Sequence, residues 1–286
     1  MTTIAHVSDL HPVPLPSPLV WPWRLKPVAG FVNAMRHHGG HEAGTQAATI
    51  AAVEASGADL VAATGDFIEF GLPVEIDATK RLFDRWGGPA RVAFAPGNHD
   101  LYTTDAAPRW RAGMSDYFAG AAEPVEPSDL RPHYPTVHRV GLVTLITLCS
   151  GLPTWLFSAE GEVGAAQLAR LEVILAGLDR EATMPVVAVH HPPLVEDVKP
   201  LKRLRDAEAL LGVLARHNIE LVLHGHLHRH ESRIVAYGGR SITLSGAPSG
   251  SATGRHDPAP AGITLVDVER GDEGFTWRIT QTRTAA

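Results

Sequence analysis

Cysteine is almost missing from this chain. Cys149 is the single one among 286 residues, so no intramolecular disulfide and no Cys-x-x-Cys zinc site can form. It follows an apolar stretch and is expected to be a buried thiol rather than a nucleophile. Long apolar runs are also missing, and none is long enough to span a bilayer. The start, MTTIAHVSDL, has no basic segment followed by an apolar one, so no signal peptide is expected and a cytoplasmic protein is. Positive charge is scarce too: 25 Lys and Arg stand against 31 Asp and Glu, a net charge of -6. Such a chain has no general attraction for a nucleic-acid polymer or an anionic membrane, and any affinity for phosphate must be local.

What is present is an ordinary globular composition, 44% hydrophobic and 20% charged, and a length that buries a sizeable core. No internal repeat, low-complexity tract or clear linker divides it. One domain over 1–286 is expected. It would carry an irregular insertion at 12–44, since residues 11–44 hold six prolines, and a β-rich part from 231 to 286. Between these, strand and helix patterns alternate. TIAHVSD (3–9), DLVAATGD (59–66), RVAFAPGNHD (91–100), MPVVAVHHPP (184–193) and IELVLHG (219–225) read as strands. Residues 47–56, 76–86, 108–120, 161–181 and 206–218 read as helices, and 136–150 as one or two strands. After 231 the pattern is strands alone. An α/β fold of two sheets with helices outside is predicted.

Sixteen histidines are the odd bulk feature, and their placement matters more than their number. The first strand ends in Ser-Asp-Leu-His, giving Asp9 and His11. The second gives Asp66, the third Asn98, His99 and Asp100, a later one His190 and His191, and the last of the group His226 and His228. Polar donors thus gather where five strands become loops, the edge at which α/β sheets bind ligands. Imidazole, carboxylate and amide together suit Mn, Fe, Zn or Co rather than an all-oxygen Ca or Mg cage. Seven of these donors would already exceed one tetrahedral zinc and would fit two metals sharing a carboxylate. The stretch VLHGHLHRH (222–230) places histidines at every second position, which a straight strand would turn to one face.

The ordered motifs D-x-H, G-D, G-N-H-D, H-x-P and G-H-x-H, between residues 9 and 228, resemble the calcineurin-like metallophosphoesterase family. The resemblance implies a two-sheet α/β/β/α sandwich. It implies that Asp9, His11 and His228 hold one metal, that Asn98, His190 and His226 hold the other, and that Asp66 bridges them. Paired metals can activate a bridging water for in-line attack on a phosphoryl group. His99 would face the phosphate, and Asp100 would orient His99, the alternative being that Asp100 braces its own loop. The H-x-P spacing selects His190 over His191. Of the run at 222–230, His226 and His228 match the motif, with Gly225 letting the backbone turn. His224 is left to a place behind the ligands or against the core, and His230 to the surface. His37, His38 and His41 are expected to be solvated loop residues, a third metal site being the alternative.

Departures narrow the branch. Ser/Thr protein phosphatases carry an arginine after the bridging aspartate, and purple acid phosphatases a tyrosine three residues after it. Here the sequence is F-I-E-F-G, with Glu69 in that place. The chain is then most similar to bacterial phosphodiesterases related to the class III cyclic-nucleotide enzymes. A phosphodiester (cyclic nucleotide, glycerophosphodiester or similar) is the first expectation, a monoester or a lipid-linked pyrophosphate the alternatives. A non-catalytic binding module on the same fold is the alternative of another class. Segment 12–35, with Leu15, Leu19, Trp21 and Trp23 beside Arg24 and Lys26, would wall the site or touch a membrane or another subunit, the alternative being an ordinary loop packed on its own core.

Overall fold

The structure is a computed structural model that describes residues 1–15, 40–118, 126–155, 158–255, 259–272 and 274–284. Segment 12–35 therefore lies for the most part outside the described residues. In chain order the main elements are β1 (Thr2–Val7), α1 (Ala43–Ala55), β2 (Leu60–Ala63), α2 (Pro73–Arg85), β3 (Val92–Phe94) and α3 (Ala106–Gly113). There follow β4 (Thr136–Val140), β5 (Val143–Leu148), α4 (Ala165–Ala176), β6 (Met184–Val189), α5 (Ala207–Arg216) and β7 (Leu221–His224). The chain closes with β8 (Glu231–Tyr237), β9 (Arg240–Gly246), β10 (Gly262–Gly271) and β11 (Gly274–Arg283).

Strands β2, β5, β6 and β7 are buried along their whole length, which is why β2 and β6 read as unbroken apolar runs and none of the four alternates polar and apolar residues strictly. They are central strands of two sheets, ordered β11-β10-β1-β2-β3 and β4-β5-β6-β7-β9-β8. Ile4, Leu60, Val266 and Val268 of the first sheet meet Leu145, Val186, Leu221 and Leu223 of the second in one apolar layer. On the outer face of the first sheet, Val53 of α1, Ile76 and Phe83 of α2 and Trp110 of α3 complete a second core. On the outer face of the second sheet, Leu168, Leu171 and Leu175 of α4 and Leu210 and Leu214 of α5 complete a third. The result is the predicted two-sheet sandwich with helices outside.

Edge strands look different for a physical reason. In β11 every second residue up to Thr280 faces solvent, so half-buried Phe275, Trp277 and Ile279 alternate with polar residues, whereas β8 alternates in exposure but turns Ile234 and Ala236 outward. Strands β1, β2 and β3 run parallel to one another, as do β6 and β7. Each group therefore delivers its carboxyl ends, and the loops that follow, to one edge of its sheet.

Helix α1 begins earlier than its composition suggests, inside the stretch expected to be irregular. Gly44 weakens the local propensity, but the Gln46 amide donates to the Leu10 and His11 carbonyls. The first turn of α1 is thus tied to the loop after β1. At 161–181 the helix is shorter than expected, because the Asp206 carboxylate accepts from the Val163 and Gly164 amides and holds them outside it. No helix among the described residues is long and apolar enough to cross a membrane.

Candidate metal centre

The loops after β1, β2, β3, β6 and β7 converge, and their backbone is bent to do so. Asp9, Asp66, His226 and His228 all have φ between 51° and 69°, a left-handed conformation that disfavours L side chains. Such strain persists where the surroundings over-determine it. It also breaks the alternation of VLHGHLHRH, since positive φ at two of the four histidines ends the strand geometry.

Asp9 is fully buried. Its Oδ2 accepts from Ser8 Oγ at 2.5 Å and from the His226 amide at 3.0 Å, and its Oδ1 lies 3.1 Å from His228 Nε2. Asp9, His11 and His228 each offer a donor atom within 4.8 Å of the others. Asp66 Oδ1 accepts from the His99 amide at 2.8 Å, while its Oδ2 lies 3.2 Å from His190 Nε2. Asp9, Asp66 and His190 form a second such set, which shares Asp9 with the first.

His190 hydrogen-bonds through Nδ1 to the Thr64 carbonyl at 2.6 Å, which turns Nε2 toward the carboxylates. His226 uses Nε2 for the Lys202 carbonyl, so Nδ1 is its lone-pair nitrogen. His191 is close to both rings and joins them in a third set. Both of its nitrogens are engaged, however, by Ser150 Oγ at 2.8 Å and the Ala159 carbonyl at 3.1 Å. That engagement favours His190 over His191 as the donor. Asn98 is buried, and its Oδ1 has no hydrogen-bond partner among the described residues. The His190 Nε2 is likewise buried without a bond of good geometry.

Electrostatics carry the same signature. Burial works against the Asp9 and Asp66 charges, but His228 beside Asp9, and His190 and His99 beside Asp66, outweigh it. Both carboxyls are held well below the usual carboxylate range. Burial opposes a charge on His190 as well, but Asp66 raises it to about 9. His226 is driven well below 6.5 by burial and by neighbouring His191 and His190. Two buried carboxylates, a neutral imidazole at His226, a His190 imidazole whose proton a metal would displace, and an orphaned amide oxygen are a donor set that fits a pair of transition-metal ions.

The role expected first for Asp100 fails. Asp100 does not touch the His99 ring. Its Oδ2 accepts from the Asp66 and Gly97 amides at 2.7 and 2.8 Å, and its Oδ1 from the Phe67 amide at 3.0 Å. All of its strong contacts hold loop backbone, so it braces the turns that carry Asp66 and Asn98. The His99 ring stacks on Tyr102, and its Nδ1 faces Glu69, 3.3 Å from the carbonyl and 3.4 Å from Oε1. Glu69 also accepts from His11 Nδ1 at 2.8 Å. Burial opposes its charge, but His99 and His11 lower it to about 2. The sequence signal was the carboxylate three residues after Asp66, which stood out as a departure from other branches and not as a site residue.

The rest of the histidine run is divided. His224 is buried, with Nδ1 at the Gly225 carbonyl. His230 is not the surface residue expected, since both ring nitrogens are shielded from solvent and the ring packs on Gly262. His41 was expected to be solvated, yet its ring centroid lies 5.1 Å from that of His11 and 6.2 Å from that of His228. His37 and His38 lie outside the described residues. Cys149 is buried as expected, which pushes its thiol far up.

The family described as calcineurin-like phosphoesterase matches residues 2–230. Among solved structures, the chain is similar to a purple acid phosphatase from yellow lupin (Lupinus luteus) seeds, at 12% identity and a TM-score of 0.57 over 99% of this chain and 51% of that one. It is similar to a dimetal phosphatase from Danio rerio at 13% identity and a TM-score of 0.55, over 99% of both chains. A 5'-nucleotidase precursor from Thermus thermophilus aligns at 16% identity and a TM-score of 0.51, over 99% of this chain and 54% of that one. The chain spans about half the length of the lupin and Thermus proteins. At such identities the likeness is one of fold. No curated protein matches the chain.

Proposed function

The chain belongs to the calcineurin-like phosphoesterase family, and from that premise we propose that it is a metal-dependent hydrolase of phosphoric esters whose first substrate class is a phosphodiester. The observation that supports this best is the assembly itself: two donor sets sharing Asp9, with Asp66 in the second, and His99 hydrogen-bonded through its amide to Asp66. Asp9, His11 and His228 would hold one metal, Asn98, His190 and His226 the other, and Asp66 would belong to both. Two bound ions of Mn, Fe or Zn type would supply an activated water and neutralise charge on the phosphoryl group.

The remaining work falls to the protein. Thr64 and Lys202 carbonyls fix which nitrogen His190 and His226 present. Glu69 and Tyr102 hold the His99 ring from its Nδ1 edge and its face. Nε2 is then the nitrogen that acts on the ester, donating to the leaving oxygen. A binding module without turnover would have no use for an imidazole held in this way beside these donors.

Glu69 bears on the substrate class. Its carboxylate is held ionised down to about 2 between His11 and His99. A monoester is largely a dianion at neutral pH and a diester a monoanion, so a fixed negative charge at this point weighs more heavily against the monoester. The test is a hydrolysis panel on protein reconstituted with Mn, Fe or Zn, comparing an aryl diester, an aryl monoester, cyclic nucleotides and glycerophosphodiesters. Diester turnover lost on chelation is expected. No turnover with any metal would favour the binding module, and faster monoester cleavage would reverse the substrate order.

A further inference from the structure

Two imidazoles outside the Asp9–His11–His228 set pack on the ring of His11. One is His99, at 4.9 Å between centroids, and the other is His41, at 5.1 Å. His41 also stands beside His228, and it belongs to none of the donor sets found among the described residues. Its place is built rather than incidental. Nδ1 lies 2.9 Å from the hydroxyl of Ser251, a fully buried residue. The backbone on either side is laced to the same loop: His41 bridges Ala252, the Glu42 amide donates to the Ser251 carbonyl, and the Thr253 amide donates to the Gly40 carbonyl. That loop is in turn fastened to the metal centre, because Ser249 Oγ and the Gly250 amide both donate to the Asp9 carbonyl. One rigid connection therefore runs from Asp9 through 249–253 to His41. Ser251 lies in the C-terminal part, beyond the residues matched to the family, 2–230.

We propose that His41, positioned by Ser251, is a substrate-binding residue that donates a hydrogen bond to a phosphoryl oxygen at the His11 and His228 side of the centre. An imidazole held at Nδ1 by a buried hydroxyl, on a scaffold shared with Asp9, is pre-organised for a tetrahedral oxyanion bound there. The ligand class is the phosphoryl group that every phosphoric ester shares, so His41 contributes to substrate affinity more than to the bond-breaking step. This inference rests on the phosphoesterase reading above.

The test uses full-length protein loaded with Mn and inorganic phosphate as the probe, with binding measured by calorimetry and metal content by elemental analysis. For His41→Ala, phosphate affinity falls and KM for an aryl diester rises, each by about tenfold, as expected for one hydrogen bond to a charged group. Metal content and kcat stay near the wild-type values. Ser251→Ala gives a smaller change of the same kind, with KM moving and kcat not, whereas a merely structural loss would lower kcat and metal content together. Unchanged phosphate affinity in His41→Ala alongside active wild-type protein overturns this inference alone. Loss of bound metal in His41→Ala overturns it in favour of a ligand role. Wild-type protein that neither binds phosphate nor cleaves any ester overturns the phosphoesterase reading and this one together.

Discussion

Glu69 Oε2 accepts a hydrogen bond from His11 Nδ1 at 2.8 Å, and so ties a candidate metal ligand to the loop that also faces His99. The carboxylate is itself well supported. The Glu75 side chain accepts from the Glu69, Phe70 and Leu72 amides and fixes the turn on which Glu69 sits. Glu69→Gln keeps an oxygen but loses the charge and can present an amide to His11 instead. Partners of this kind are worth about 10–100-fold in activity or metal affinity. We therefore expect kcat/KM to fall within that range and the affinity for one of the two metals to weaken. Unaltered kinetics and metal titration in Glu69→Gln would remove Glu69 from the site.

Asp100 gives a different expectation, one of stability. Its carboxylate accepts from three buried amides, those of Asp66, Phe67 and Gly97. Asp100→Ala leaves these donors unpaired, at about 1–3 kcal/mol each and with incomplete additivity. The expected outcome is a large drop in Tm that metal loading restores in part. A second consequence concerns pH. Burial, and then the Asp66 charge, raise the Asp100 carboxyl from 3.8 to about 6. Its folded value is thus above the unfolded one, so this contribution is full below pH 3.8 and is lost as pH rises through about 6. In metal-free protein, Asp100→Asn should flatten the stability profile over that interval, as read from urea denaturation. An identical profile in wild type and variant would refute the assignment.

Gly225 has a steric role. It is not among the left-handed glycines, so freedom of φ, the reason expected from sequence, is not what this position requires. A Cβ there would run into Ser8 Oγ and Asp9 Oδ2. The loop after β7 must pass this close for the His226 amide to reach Asp9. Gly225→Ala should displace Asp9, cost about 1–3 kcal/mol as an overpacked site does, and reduce metal content. Full metal content with normal stability would show that the loop yields without harm.

The fold was legible because burial writes itself into runs. Val61 to Ala63 and Val186 to Val189 are apolar without interruption because both faces are covered. The candidate metal donors were legible for a related reason: charged and imidazole side chains gathered directly after several such runs mark one edge of the fold, although Asp100 there serves the loop backbone. What was not legible depended on contacts across the chain. Asp100 and Glu69 each sit near His99 in sequence or in space, and only side-chain directions assign the ring to Glu69. His41 was hidden because its partner, Ser251, lies at a separation of 210 residues, and no local pattern links a glycine-rich loop to a C-terminal turn. The start of α1 was missed in the same way, through Gln46 and its contacts to the loop after β1.

Metal uptake should depend on pH through His190. Its Nε2 lies 3.2 Å from Asp66 Oδ2, and although burial opposes the charge, Asp66 raises the ring from 6.5 to about 9. Without metal and near pH 7, Nε2 carries a proton that a metal must displace. Loading should then release about one proton, and apparent affinity should rise about tenfold per pH unit until pH passes about 9, where it levels off. The stability of the metal-free protein moves the other way. A histidine raised on folding stabilises fully below 6.5, and that contribution is lost as pH rises through about 9. Zinc titrations against a competing chelator, repeated in buffers of different ionisation heat, report both the slope and the proton count. His190→Asn should remove the slope while leaving Asp9, His11 and His228 able to bind one ion. A wild-type affinity that is flat between pH 7 and 9 would place the titrating proton elsewhere and undo the role given to the Asp66–His190 contact.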